Sequence, residues 1–94
     1  MKDLNELRRE IDGIDRELVK LFEKRMEVSA QIGAYKASRG MPVLDAVREE
    51  EKLAAVRALA SSGKNADYVE QLFRDIFVIS RSAQNRDTAE ATSR

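Results

Sequence analysis

The 94-residue sequence predicts an all-α fold: three helices per chain with a very long first helix, laced with a second copy into an intertwined six-helix homodimer. Three observations predict it. Apolar residues at Leu4, Leu7, Ile11, Ile14, Leu18, Leu21, Val28, Ile32 and Tyr35 are spaced alternately by three and four, a heptad stripe. The single proline, Pro42, and the breaks at Gly40 and Gly63 divide the chain into three periodic stretches. No stretch alternates polar and apolar residues as a strand would.

The first helix runs from about residue 3 to 38, some 36 residues or ~54 Å at ~1.5 Å rise per residue. A compact chain of this length has a radius of gyration of only ~12 Å, hence a diameter of roughly 32 Å. The helix overshoots its own domain, so its apolar stripe needs a second chain to cover it. Within the stripe, position 25 demands a hydrophobe and holds Arg25.

Helix 1 ends at Gly40, which can take the left-handed conformation, ahead of Pro42, which forbids continuation. Asp45 opens a second helix over about 45–61, with acidic residues in its first turns and apolar positions at Val47, Leu53, Val56 and Leu59. Ser61-Ser62-Gly63-Lys64 is the next break. Asn65 or Asp67 is expected to cap a third helix over about 66–86, Asp67 through a box with Glu70. That helix carries a broad apolar face (Tyr68, Val69, Leu72, Phe73, Ile76, Phe77, Ile79), continued by Ser80 and Gln84. Residues 1–86 are thus expected to form one domain and 87–94 a polar tail or linker.

Seventeen basic residues balance seventeen acidic ones, which argues against a nucleic-acid surface. The chain has no cysteine and no histidine, which removes disulfides, thiolate nucleophiles, the usual zinc sites and imidazole acid–base chemistry. No cofactor and no metal is expected. The N-terminal segment has no apolar h-region and no run approaches the ~20 apolar residues of a membrane span, so the expectation is a cytoplasmic protein that engages no membrane.

The residues that break the apolar faces are the candidates for chemistry. Arg25 and Lys36 are eleven residues apart, which puts them within about 20° on one face and ~16 Å apart along the axis, close enough for long side chains to converge on a small anion. Arg8 precedes Arg25 by seventeen residues, ~25 Å away and about 100° round the helix, so in a two-fold dimer it serves the partner's pocket more easily than its own. Each residue taken singly also has a plainer reading. Arg25 can set register, Lys36 can be a solvated terminal lysine, Ser80 and Gln84 can bond across helices, and Asp45, Arg48 and Glu49 can complement a helix dipole. On periodicity alone the chain is a dimeric helical protein with a candidate anion pocket.

The runs Leu7–Asp15, Arg25–Val28, Ile32–Lys36, Pro42–Glu49 and Ser80–Gln84 resemble the all-helical class of chorismate mutase, from about Leu4 to Gln84. The resemblance implies an intertwined homodimer with two equivalent sites that converts chorismate to prephenate by a Claisen rearrangement. It implies that Arg25, with Arg8 of the partner chain, grips the substrate carboxylates. Lys36 would contact a carboxylate and the ether oxygen, Gln84 would donate to that oxygen, and Glu49 would accept from the ring hydroxyl near the backbone of Asp45. Arg48 and Ser80 would complete the wall. Such domains are often fused to prephenate dehydratase, prephenate dehydrogenase or the synthase that opens the aromatic pathway. Two other expectations stand beside this one: an isochorismate–pyruvate lyase on the same fold, and a helical dimerisation module without activity.

Overall fold

The computed structural model describes the backbone of residues 1–92 and the side chains of residues 1–87. It contains three helices, α1 (Leu4–Ser38), α2 (Ala46–Leu59) and α3 (Gly63–Thr92). Each boundary has a local chemical cause. Asp3 caps α1, its carboxylate accepting from the Glu6 N–H at 2.8 Å. At the other end Gly40 adopts φ +65°, a left-handed turn that lets the Met41 N–H donate to the Lys36 carbonyl at 2.8 Å. Asp45 caps α2 by accepting from the Arg48 N–H at 3.0 Å.

The third helix departs from the sequence expectation at its start. It begins at Gly63, capped by Ser62, whose hydroxyl accepts from the Asn65 N–H at 3.2 Å. Neither Asn65 nor Asp67 is the cap. Asp67 and Glu70 instead accept from Arg57 of α2 at 2.9 and 3.3 Å, because the tight α2–α3 turn brings that guanidinium alongside both carboxylates. At its far end α3 passes residue 86 without a break and continues to Thr92, so the backbone does not change character where a polar tail was expected. Ser93 and Arg94 lie outside the described residues.

Helix α3 is the centre of the chain. α1 and α2 each pack on it, and among the described residues no Cα of α1 comes within 8 Å of one in α2. The core is small: Leu53 and Val56 from α2 close on Ala66, Ile76 and Phe77 of α3. Phe73 meets Phe77 edge to face, centroids 6.2 Å apart. The face that α1 turns towards α3 is not its heptad stripe but the neighbouring row Phe22, Arg25, Met26, Ser29, Gly33 and Lys36, in which Ser29 and Gly33 are buried.

The stripe itself faces water. Its nine apolar residues are each between 45% and 62% exposed, and residues 1–21 are all exposed except the half-buried Gly13. The chain is accordingly elongated, with extents of 56 × 29 × 14 Å and a radius of gyration of 16.9 Å, where a compact chain of this length would measure ~12 Å. A chain on its own seldom leaves so long an apolar stripe uncovered.

Candidate active site

A cavity of about 310 Å³ opens where the C-terminal half of α1, the start of α2 and the C-terminal half of α3 converge. That is near the lower end of the ~300–1,000 Å³ typical of small-molecule sites. Arg25 and Lys36 reach it from α1, Asp45, Arg48 and Glu49 from the start of α2, and Ser80 and Gln84 from α3. Seven of the eight residues singled out in the sequence therefore line one space. Arg8 does not. It sits exposed on the protruding half of α1.

Most of these side chains are held by their surroundings. Arg25 donates through Nη1 to the Ser80 hydroxyl at 3.2 Å, and its guanidinium lies 5.7 Å from the Phe77 ring centroid and 5.8 Å from that of Phe73. Burial lowers the Arg25 pKa from its ordinary value, yet an arginine remains a cation. Lys36 donates to the Val43 carbonyl at 2.9 Å, which anchors the ammonium with two further N–H groups to spare. Asp45 is occupied by its capping bond to Arg48, and Glu49 is ion-paired with Arg81.

Ser80 and Gln84 are both 7% exposed. The Gln84 amide nitrogen donates to the Ser29 carbonyl and to the Ser29 hydroxyl, each at 2.8 Å. A carbonyl accepts only, so this contact fixes which end of the amide is nitrogen.

The structure adds cavity residues that the sequence reading did not single out: Ser29, Lys52 and Arg81. A signal existed for the first two. Ser29 lies four residues after Arg25 and seven before Lys36 on the same face, and Lys52 follows Glu49 by three. Arg81 had no such signal, because its relevance comes from a contact across helices.

Five cations and two carboxylates among the described residues line the cavity. Among the described residues, only Arg81 of the five takes part in an ion pair, so Arg25, Lys36, Arg48 and Lys52 confront the cavity without a carboxylate partner. Cations grouped in this way against one half-buried space repel each other unless an anion joins them. Among the described residues there is no group of three or more acidic side chains placed to hold a metal ion, and no helix is long and apolar enough to cross a membrane.

Fold and cavity together define a helical domain with a cationic pocket built jointly by three helices. The chain belongs to the chorismate mutase type II family, whose sequence model matches residues 7–85. It is 39% identical to the T-protein of Haemophilus influenzae over 87 residues, 92% of this chain and 23% of that protein. It is 33% identical to the T-protein of Enterobacter agglomerans over 84 residues, 88% of this chain and 22% of the relative. A bifunctional chorismate mutase/prephenate dehydratase of Aquifex aeolicus is 39% identical over 51 residues, 54% of this chain and 14% of the relative. The chain thus spans less than a quarter of the length of these relatives. No solved structure matches it significantly.

Proposed function

We propose that this chain is a mutase domain that converts chorismate to prephenate, as a homodimer whose two long helices cross. The observation that carries the reading is the convergence on one cavity of the Gln84 amide and four cations that have no carboxylate partner among the described residues. Chorismate is a flexible dianion, and its rearrangement breaks an ether C–O bond while a C–C bond forms within the same molecule. No proton moves and no covalent enzyme intermediate forms, so a chain without histidine or cysteine lacks nothing the reaction requires.

The protein's task is to hold the substrate folded and to stabilise negative charge that grows on the ether oxygen. Arg25, whose fork is already oriented by Ser80 and two aromatic rings, suits a carboxylate bidentately. The partner's copy of Arg8 brings a second guanidinium from the protruding end of α1, and Arg48 and Ser80 complete the wall. Lys36, anchored by Val43, offers its two remaining N–H groups to a carboxylate and the ether oxygen. Gln84 supplies the second donor to that oxygen. Its N–H on the Ser29 hydroxyl is the one exchanged for substrate, since the hydroxyl can rotate away while the Ser29 carbonyl keeps the other. Glu49, beside Asp45, accepts from the ring hydroxyl.

The homodimer is supported by the exposed heptad stripe and by the distance of Arg8 from its own cavity. The domain extends over residues 1–86, Gln84 being the last described residue to line the cavity. Separate incubations with chorismate and isochorismate test the activity. The reading expects prephenate from the first. Pyruvate and salicylate from the second, with chorismate untouched, would assign a lyase instead, and no turnover of either would leave a dimerisation module.

A further inference from the structure

Of the two carboxylates that line the cavity among the described residues, Asp45 is engaged in capping α2, so Glu49 is the one that faces the ligand space without a capping bond. A bare carboxylate in the wall of a pocket for a dianion works against binding, because two like charges meet in a partly desolvated space. The structure answers that charge from α3. Arg81 stands beside Ser80 and three residues before Gln84, and its guanidinium reaches across to α2, where Nη1 donates to Glu49 Oε2. The two side chains are 29% and 25% exposed, and both belong to the cavity wall rather than to open surface.

We propose that Arg81 is a positioning residue that acts through Glu49. It cancels the carboxylate's charge towards a dianionic substrate, and by holding Oε2 it turns Oε1 to the ligand as a hydrogen-bond acceptor. The role rests on the mutase reading, in which Glu49 accepts from the ring hydroxyl. Arg81 thereby fits the pocket for an anionic ring compound bearing a hydroxyl: the acceptor is kept and its repulsion removed. A glutamine at position 49 would accept without the charge, so the arginine would then have nothing to offset.

A double-mutant cycle on the full chain tests this, with kcat and KM for chorismate measured for the parent, Arg81→Ala, Glu49→Gln and the double variant. Arg81→Ala is expected to raise KM at least about tenfold with a smaller fall in kcat, the size of effect that follows from stripping a half-buried charge of its partner. The same substitution in the Glu49→Gln background is expected to change KM less than about twofold. Arg81→Lys, which keeps the charge, is expected to recover most of the loss, and it carries the test if the alanine variant does not fold. Melting temperature and dimer mass are followed in each variant, so that a loss arising from unfolding is separated from one in binding. Losses that multiply in the double variant would mean that Arg81 touches substrate directly, and an Arg81→Ala enzyme with parental KM would mean that the pair is idle. Either outcome overturns the inference while an active parent keeps the mutase reading; a parent inert towards chorismate overturns both.

Discussion

Gly33 and Gln84 approach so closely that a Cβ placed on the glycine would stand 2.8 Å from Gln84 Cγ and 3.2 Å from its Cβ. Real Cβ atoms do not tolerate the first distance, so α1 and α3 can only meet here because position 33 has no side chain. That approach is also what carries the Gln84 amide to Ser29. Gly33→Ala is therefore expected to destabilise the protein by ~1–3 kcal/mol, the usual cost of overpacking. Turnover should fall by ~100-fold, because the amide would be displaced by about an ångström. Thermal denaturation and kcat on the same preparation check both, and an alanine variant with parental kcat would show that the close approach does not position Gln84.

On the proposed mutase reading, Lys36 is the cationic donor to the ether oxygen. Lys36→Ala should lower kcat by ~100-fold or more, the scale on which an oxyanion donor is lost. Because the one bond that anchors Lys36 among the described residues is to the Val43 carbonyl, the melting temperature should move little. A variant turning over near the parental rate would remove Lys36 from the chemistry.

Gln84→Glu turns a permanent donor into a conditional one. An amide N–H donates at any ordinary pH, whereas a carboxyl donates only while protonated. Protonation increases as pH falls, so activity of this variant should rise towards acid while the parent's profile stays flatter. Rate–pH curves for both proteins settle the matter, and superimposable curves would count against contact between Gln84 and the ether oxygen.

Arg8 and Lys36 can be tested together by subunit exchange. An Arg8→Ala chain and a Lys36→Ala chain should each be nearly inactive. In a mixed dimer, the site that keeps Lys36 from one chain receives Arg8 from the other and is complete. Random exchange makes about half of the dimers mixed, each with one good site of two, so about a quarter of parental activity should return. Sedimentation should give twice the chain mass. Mixing that restores nothing would mean that the partner's Arg8 does not enter the site.

Much of this is legible in the chain itself. Alternate spacings of three and four identify α1 and its stripe, Asp3 and Asp45 start helices because their carboxylates satisfy free N–H groups, and Gly40 with Pro42 stops one. The face shared by Arg25 and Lys36 follows from helical pitch, and both do meet in one cavity. The start of α3 differs from the sequence expectation for a local reason. Ser62 offers a capping oxygen ahead of Asn65 and Asp67, and the sequence does not say that Arg57 will engage Asp67 and leave the cap to Ser62.

What the amino-acid order settled alone was everything governed by periodicity and local hydrogen bonding: three helices, one of them too long for its own domain, and a set of polar residues out of place on apolar faces. Only the tertiary structure decided which of those residues have partners. Gly33 against Gln84, Gln84 on Ser29, and Arg81 across to Glu49 join residues 32 to 55 positions apart. The physical reason is range. A helix's own repeat orders neighbours three and four residues away, while the depth at which α1 and α2 seat on α3 depends on side-chain volume at the crossings, a quantity no single helix contains.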